Sequence, residues 1–323
     1  MKKYLLFMLL LVQISVASAA FAADVVRVGN LQLAHFGAIS YMKEIAPKYN
    51  LKIEEEFFAK GIDIIPAMVA GEIDVAASGA QGAIAARAAG VPIYIVAGFA
   101  KGGARIVGRS DRKWRSVADL KGKRVGVAMG GAQELLLFAE LAKYHLSFSD
   151  KPGKDVQVVY LANYGELNQA LLTRYVDAIC QSEPQSAQAI NKGFGVEIVK
   201  PFDTPLGDPI RTLMMTQRLY ANRGVAQRLL KCFVEATRTF LANPALAEKY
   251  VCESMFKGQL SSQEYRMAMA YSPLTYDVTV QHIQTTTELM MKYGIGNMAK
   301  PPVAKDYVKT DLLVKAKRSL AVR

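Results

Sequence analysis

Strand-like and helix-like segments alternate along roughly the first two hundred residues of this chain, and this alternation constrains the fold more than any other feature. Short apolar strands separated by helices are typical of an α/β protein with a mostly parallel sheet. A first round of elements begins with VVRVGN (Val25–Asn30), and a second begins with RVGVAM (Arg124–Met129). Because the order starts again, the pattern predicts two similar α/β lobes.

Two passages occupy the same place in the two rounds, AMVAGEIDVAAS (Ala67–Ser78) and ALLTRYVDAICQ (Ala170–Gln181). Each puts an aspartate, Asp74 or Asp177, at the head of an apolar strand that follows a helix. The repeat supports two lobes with a common plan.

The chain crosses between the predicted lobes twice. A basic, turn-rich stretch separates the two rounds, and PFDTPLGDP (Pro201–Pro209), rich in proline and glycine, follows the second. Two crossings imply that one lobe is built from both ends of the chain, lobe 1 from residues 23–108 and 206–323 and lobe 2 from residues 109–205. The cleft between the lobes is then the expected ligand site, with the crossings as hinges.

The chain opens with a segment that is typical of a secretory signal peptide. Lys2 and Lys3 precede an apolar run from Tyr4 to Val12, and small residues lead to Ala22. Cleavage after Ala22 would release an exported protein, and the periplasm is its simplest destination. No other apolar run in the sequence reaches the roughly 18 residues needed to span a bilayer, so the mature protein is expected to be soluble.

The chain is basic, with a formal net charge of +12 that falls to +10 without Lys2 and Lys3. A basic surface is one sign of a nucleic-acid-binding protein. An exported protein rarely meets nucleic acid, so we expect none as a partner. The densest basic stretch, from Arg109 to Arg124, is interpreted as a solvated face beside a lobe boundary.

Small residues follow the strand-like segment IDVAAS and open the next predicted helix. They are Ser78, Gly79, Ala80 and Gln81. A helix start offers unpaired N–H groups and a partial positive charge, and small residues let a ligand approach them. Ser78 could instead serve only as the N-cap. The same geometry is predicted in the second lobe, at Gly130, Gly131, Ala132 and Gln133. Two opposed helix starts would clamp a small polar or anionic molecule.

Residues that carry catalysis are scarce. The chain has three histidines, His35, His145 and His282, and only His35 falls near the predicted cleft, where it could donate to a ligand or make a structural hydrogen bond. No G-x-S-x-G, H-E-x-x-H, phosphate-binding loop or dinucleotide fingerprint occurs. The cysteines lack metal-binding spacing. We therefore expect a binding protein without cofactor or metal rather than an enzyme.

The three cysteines raise the question of a disulfide. Cys232 and Cys252 lie on consecutive predicted helices, symmetrically about the turn at Ala242–Asn243, so an antiparallel helix hairpin would bring them together. A bridge is plausible in an oxidising compartment, and two buried thiols are the alternative. Cys180, on a predicted buried strand, is expected to stay reduced.

Several stretches together resemble a known family. They are GEIDVAASGAQGAIAARAAGVPIYIVAG, SVADLKGKRVGV, and VDAI with the later Glu183-Pro184 pair. They are similar to the periplasmic substrate-binding proteins of ABC importers, nearest the branch for nitrate, aliphatic sulfonates, taurine and thiamine-pyrimidine precursors. The resemblance covers Val25–Val199 well and the helical end only in outline. It implies a two-lobed periplasmic-binding-protein fold, type II-like, and a monomer that delivers its ligand to an ABC permease in the inner membrane.

The resemblance also implies which residues hold the ligand. They would come from the loop after the first strand (Gln32, His35 and Phe36), from the two helix starts, and from Gln181 and Glu183 beside the Glu-Pro pair. Sulfonate binders of this branch often carry an aromatic residue ahead of that pair, where this chain has Gln181 and Ser182.

The predicted cleft favours an anionic group, because of its two helix starts and the basic surface. Glu183 would repel a dianion unless it is turned away or paired, and it would accept a hydrogen bond from an N–H or ammonium group. A small organic acid or zwitterion, such as a sulfonate or amino-sulfonate, is therefore the favoured ligand. Tyr164 and Phe36 would flank its apolar body. The alternative is a neutral pyrimidine-type heterocycle that uses Glu183 as acceptor.

Overall fold

The computed structural model describes residues 22–199 and 202–322, so the predicted signal peptide lies outside the described residues apart from Ala22. The described chain forms two β-sheets, one for each round of the sequence pattern, with helices packed on their faces. None of the described helices is both long and apolar enough to cross a membrane.

The first sheet has the strand order β2-β1-β3-β11-β4. Its strands are β1 (Asp24–Leu31), β2 (Leu51–Phe58), β3 (Val75–Gly79), β4 (Ile93–Lys101) and β11 (Ile210–Thr216). Strands β1, β2 and β3 are parallel, whereas β11 is antiparallel to both of its neighbours. The predicted mostly parallel sheet is therefore a mixed sheet, in which a strand that follows the second sheet in sequence is inserted between β3 and β4.

The second sheet has the order β10-β5-β9-β6-β8-β7. Its strands are β5 (Ala104–Arg109), β6 (Lys123–Val127), β7 (Phe148–Ser149), β8 (Val156–Tyr160), β9 (Ala178–Ser182) and β10 (Gly195–Val199). The predicted boundary assigned β5 to the first lobe, but its antiparallel hydrogen bonds to β9 and β10 place it in the second sheet. The chain thus enters the second sheet before residue 109, through Gly102 and Gly103.

Helices join the strands and cover both sheets. They are α1 (Gly37–Ile45), α2 (Ile64–Ala70), α3 (Ala80–Ala88), α4 (Ala132–Lys143), α5 (Tyr164–Leu172), α6 (Gln185–Asn191), α7 (Gln217–Ala221), α8 (Arg223–Ala242), α9 (Pro244–Lys249), α10 (Ser262–Ala270), α11 (Val280–Tyr293), α12 (Ala304–Tyr307) and α13 (Asp311–Ser319). Short 3₁₀ turns and a π-helix at Tyr250–Met255 complete the chain.

Burial explains why these residues form these strands. Strand β3 lies inside the first sheet, and its first four residues are buried, as expected for a covered α/β sheet. Strand β2 lies at the sheet edge, and its residues alternate between more and less exposed positions, as the sequence KIEEEFF predicts. The long amphipathic helix α8 packs on α1 and α13 beside the first sheet.

Of the two alternatives for Cys232 and Cys252, the structure shows two buried thiols and not a disulfide. Cys180, Cys232 and Cys252 are all buried and free. Cys232 faces α1, where its Sγ donates to the carbonyl of Met42 at 3.2 Å. The chain after α8 continues through α9 and the π-helix that carries Cys252, so the symmetric spacing does not bring the two thiols together.

Candidate functional site

Two helix starts, one from each sheet, meet in the cleft. Gly79 is the N-cap of α3 and Gly131 the N-cap of α4, and neither helix has a side-chain cap. A Cβ on Gly79 would lie 3.5 Å from the Cβ of Ala132, so the two starts are in close contact. The sequence reading of Ser78 as N-cap is corrected, because Ser78 belongs to β3 and the helix begins one residue later. The opposed arrangement itself is as predicted.

A buried glutamine follows each of these N-caps. Gln81 and Gln133 are 3% and 1% exposed. Within the described part of the chain, Oε1 of Gln81 and Nε2 of Gln133 have no hydrogen-bond partner. Both side chains fold back over their own glycine, since a Cβ on Gly79 would lie 2.6 Å from Oε1 of Gln81 and one on Gly131 would lie 2.9 Å from Oε1 of Gln133. The cleft therefore offers an amide acceptor on Gln81 and an amide donor on Gln133, which lies beside the Tyr164 hydroxyl and partly offsets the raised pKa of that group.

The loop before α2 covers the first helix start, and the sequence reading missed it. A Cβ on Gly61 would lie 1.8 Å from Oγ of Ser78, so the loop reaches this hydroxyl only because residue 61 has no side chain. Ile62 extends across to the second lobe, with its Cδ1 3.0 Å from where Gly130 would carry a Cβ. The signal for this contact in the sequence was Gly61, an isolated glycine ahead of a predicted helix.

The most informative residue of the cleft, Arg211, was also missed. It lies on β11, inside the first sheet, and is 3% exposed. Its Nε donates to the carbonyl of Gly102 at 3.2 Å and its Nη2 to that of Gly103 at 3.0 Å. Nη1 is 3.6 Å from the Cβ position of Gly79. The signal in the sequence was a charged residue within the otherwise apolar strand IRTLMMT.

Arg211 keeps its charge without a carboxylate partner. Burial lowers the pKa of its guanidinium to about 10, with weaker opposing effects from Tyr164 and Cys180. The group is therefore protonated at neutral pH. No Asp or Glu among the described residues forms an ion pair with it. A buried cation without a counterion is costly, so an anion in the cleft would be strongly stabilised.

These groups enclose a small cavity between the two sheets. Its lining residues are Leu31, Leu33, Lys60, Gly61, Ile62, Ser78, Gly79, Gln81, Gly82, Ala128, Met129, Gly130, Gly131, Ala132, Gln133, Tyr164 and Arg211. The volume available to the centre of a water molecule is about 20 Å³, and a single water needs about 10–15 Å³ by this measure. The sheets must separate, or side chains must move, before a larger molecule can enter.

Glu183 does not face this cavity, contrary to expectation. Its carboxylate forms a buried ion pair with Arg105 of β5 and accepts from the backbone N of Ala187 at 3.1 Å. Burial raises the pKa of Glu183 to about 7, against the opposing effect of Arg105. The carboxylate is thus paired with Arg105 outside the cavity. Pairing is one of the two conditions, with turning away, under which Glu183 would not repel an anion in the cleft.

Four more predicted site residues lie outside the cavity lining: Gln32, Phe36, Ala80 and Gln181. Gln32 donates from Nε2 to the carbonyl of Met255 at 2.8 Å, and Gln181 donates to Oδ1 of Asn168 at 2.5 Å. Phe36 is buried edge-to-face on Phe99, with ring centroids 4.7 Å apart. Ala80 is buried as the first residue of α3.

His35 is buried beside the first crossing. Burial, with a smaller contribution from Arg211, holds its pKa well below the usual value, so the ring is neutral at neutral pH. Its nitrogens have no hydrogen-bond partner among the described residues. The ring packs where Gly103 would carry a Cβ, at 2.7 Å. His35 therefore shapes the crossing and does not face the cavity.

Glu134 organises the second helix start. Its Oε2 accepts from the backbone N of Gly130 at 2.7 Å, and its Oε1 accepts from the Tyr160 hydroxyl at 2.6 Å. Burial raises the pKa of this carboxyl. Across the described residues there is no group of three or more His, Cys, Asp or Glu side chains that could hold a metal ion.

Comparison with known proteins places the chain. Residues 24–254 match the NMT1-like family. None of the curated protein sequences matches significantly. A similar solved structure is the alkanesulfonate-binding protein SsuA from Xanthomonas axonopodis pv. citri bound to MOPS, with 19% identity and a TM-score of 0.75 over 90% of this chain and 100% of that chain. A second is the periplasmic aliphatic sulphonate binding protein SsuA from Escherichia coli, with 21% identity and a TM-score of 0.74 over 90% of this chain and 99% of that chain. A third is the periplasmic nitrate-binding protein NrtA from Synechocystis PCC 6803, with 16% identity and a TM-score of 0.75 over 93% of this chain and 90% of that chain.

These structures share the two-sheet architecture over nearly their whole length, which confirms the fold implied by the sequence resemblance. A Candida albicans protein described as having the generic periplasmic binding protein fold is similar as well, with 14% identity and a TM-score of 0.67 over 92% of this chain and 95% of that chain. The chain belongs to the NMT1-like family and has the periplasmic-binding-protein fold.

Proposed function

We propose that this protein is the solute-binding component of an ABC import system that captures a small organic anion or zwitterion, of the sulfonate or amino-sulfonate class, and delivers it to a membrane permease. Binding without turnover, export to the periplasm and a monomeric state are parts of the same proposal. The solved structures with similar folds are binding proteins for sulfonates and nitrate, which supports the transport role.

The proposal of an anionic ligand rests on a single observation, the buried guanidinium of Arg211 without a carboxylate partner among the described residues. The residues lining the cavity include two cations, Lys60 and Arg211, and no carboxylate. The two helix starts without a side-chain cap add their N–H groups and partial positive charge to the same space. Charge-assisted hydrogen bonds from a guanidinium to a sulfonate or carboxylate are stronger than neutral ones. An anionic group beside Nη1 of Arg211 would supply the missing counterion.

The amide groups of Gln81 and Gln133 favour a ligand with a donor as well as an anion. Nε2 of Gln133 would donate to the anionic group, and Oε1 of Gln81 would accept from an ammonium or hydroxyl group. The neutral pyrimidine alternative loses its main support, because Glu183 is paired with Arg105 and does not face the cavity.

Calorimetric titration with a panel of compounds tests the proposal. Taurine or ethanesulfonate should bind with micromolar or tighter affinity, whereas a hydroxymethylpyrimidine should not. Arg211→Gln should weaken the best anion at least about 100-fold, since it removes a buried charge-assisted contact. Arg115→Gln makes the same change of net charge at an exposed site and should leave affinity unchanged. Binding confined to the pyrimidine, or turnover of any compound detected by mass spectrometry, would overturn the proposal.

A further inference from the structure

The first crossing between the sheets is held by contacts on both of its glycines. Gly102 and Gly103 have φ values of +69° and +68°. Their N–H groups donate to the carbonyls of Pro209, at 2.8 Å, and Tyr271, at 2.9 Å. Their own carbonyls accept from Nε and Nη2 of Arg211. Every backbone polar group of the two glycines therefore has a partner, and Arg211 supplies both side-chain donors from the first sheet.

Close packing supports the conformation that this crossing has in the structure. A Cβ on Gly102 would lie 2.5 Å from the carbonyl oxygen of Tyr271, and one on Gly103 would lie 2.7 Å from the His35 ring. The second sheet also contributes, because Oγ of Ser182 donates to the carbonyl of Gly103 at 3.1 Å. The bond from Gly102 to Pro209 ties the first crossing to the segment leading into β11. The geometry of the crossing thus depends on groups from both sheets.

Arg211 reaches the cavity and the crossing with a single planar group. Nε and Nη2 point to the crossing, and Nη1 points to the helix start at Gly79. A guanidinium is rigid and planar, so its donors move together. A rotation that turns Nη1 out of the cavity therefore also breaks the bonds to the carbonyls of Gly102 and Gly103.

We propose that Arg211 couples ligand binding to lobe movement, by holding the first crossing in its closed geometry only while its guanidinium is also oriented toward the anion. This inference rests on the proposed function, because it requires an anion beside Nη1. The anion binds Arg211 best in the orientation in which its guanidinium donates to the carbonyls of Gly102 and Gly103, a pair of hydrogen bonds called the clasp below. Binding therefore stabilises the closed state alone. By linkage, weakening the clasp lowers affinity as well as closure.

Distance measurement between two spin labels tests the coupling. Labels attached through Val69→Cys on α2 and Leu172→Cys on α5 lie on exposed positions of the two lobes, while the three native cysteines are buried. The test variant is Arg211→Lys, which keeps the charge but cannot reach both carbonyls and the cavity. The control is Ser182→Ala, which removes a donor to the same Gly103 carbonyl without altering the cavity lining. Far-ultraviolet circular dichroism confirms that each variant is folded.

Saturating taurine should shorten the label distance in the parent protein and in Ser182→Ala. Arg211→Lys should bind taurine about tenfold or more weakly, and at saturation its distance should stay long and broadly distributed. Closure of Arg211→Lys to the parent distance would overturn the coupling, while leaving the proposed function intact. If taurine binds none of the proteins, the proposed function fails for this probe. The label-distance distributions measured without ligand then decide whether Arg211 holds the crossing. Indistinguishable ligand-free distances in the parent and Arg211→Lys would then overturn the clasp.

Hydrogen exchange provides a test that needs no substitution at Arg211. Saturating taurine should slow exchange at the backbone amides of Gly102 and Gly103 in the unmodified protein at least about threefold, because closure stabilises the clasp. Amides of α13, which contributes no residue to the cavity lining, should exchange at an unchanged rate. Equal exchange at the two glycines with and without bound taurine would contradict the coupling.

Discussion

The two helix starts that face the cavity share a backbone plan but differ in charge. At the start of α3 the first turn carries no acidic residue, and Nη1 of Arg211 is 3.6 Å from the Cβ position of Gly79. At the start of α4 the first turn carries Glu134, whose carboxylate accepts from the Gly130 backbone. A carboxylate in the first turn offsets much of the partial positive charge of a helix start. Under the proposed function, the first lobe would therefore bind the anion more strongly, and the second lobe would add hydrogen bonds.

This difference assigns unequal tasks to the lobes. The anion would bind first where Arg211 and the start of α3 supply positive charge. The second lobe would then close over it with the amide of Gln133 and the ring of Tyr164, both of which line the cavity. Substitutions in the first lobe should accordingly cost more affinity than matched substitutions in the second.

The largest effect outside Arg211 is expected at Gly61. Gly61→Ala puts a Cβ only 1.8 Å from Oγ of Ser78, so the loop must move away from the helix start. We expect a loss of roughly 1–3 kcal/mol in the free energy of unfolding, as for overpacking, and about tenfold weaker taurine binding. Urea denaturation and calorimetry measure the two quantities.

A second glycine and a double variant separate this contact from a general effect of alanine. Gly82→Ala, within α3, meets no atom closer than 3.8 Å and should stabilise the protein by roughly 0.5–1 kcal/mol. Combining Gly61→Ala with Ser78→Ala removes the clashing hydroxyl and should recover part of the stability. If the double variant is no more stable than Gly61→Ala, the loop does not depend on the hydroxyl contact.

The sequence predicted what depends on local pattern. The apolar run VVRVGN (Val25–Asn30) lies within the observed strand β1, Asp24–Leu31, and the small residues after β3 and β6 correctly predicted the two opposed helix starts. Each of these features is determined by a short stretch of chain, through periodicity and turn composition.

Pairings between distant residues could not be predicted in the same way. Arg105 and Glu183 are separated by 78 positions in the sequence, so nothing near Glu183 showed that its carboxylate was already paired. Strand β5 looked like part of the first lobe because its sheet partners, β9 and β10, come much later in the chain. Arg211 lies within a mostly apolar strand, and only the three-dimensional arrangement shows that this strand begins at the cavity.

A smaller effect should distinguish the two buried glutamines. If Nε2 of Gln133 donates to the anion and Oε1 of Gln81 accepts from the ammonium group, Gln133→Ala should weaken both taurine and ethanesulfonate about five- to tenfold. Gln81→Ala should weaken taurine by a similar factor but leave ethanesulfonate, which has no ammonium group, nearly unchanged. Calorimetry with the two compounds gives all four affinities. Equal losses for both compounds in Gln81→Ala would show that this amide does not recognise the donor.

The smallest effect concerns Glu134 and tests the charge difference between the helix starts directly. Burial raises the pKa of its carboxyl, so the group is increasingly neutral as pH falls toward that value and increasingly anionic above it. Taurine affinity should therefore decline as pH rises through this pKa, by about twofold for a charge at a helix start. Glu183, whose pKa is about 7, also contributes to the pH dependence, so the informative quantity is the difference between the parent protein and Glu134→Gln. That variant keeps an oxygen to accept from Gly130 and should lose the decline. It should bind taurine slightly more tightly than the parent protein at pH above the pKa of Glu134. Glu54→Gln removes a carboxylate on β2, outside the cavity lining, and should follow the parent profile. A parent-like pH profile in Glu134→Gln would mean that the two helix starts attract the anion equally.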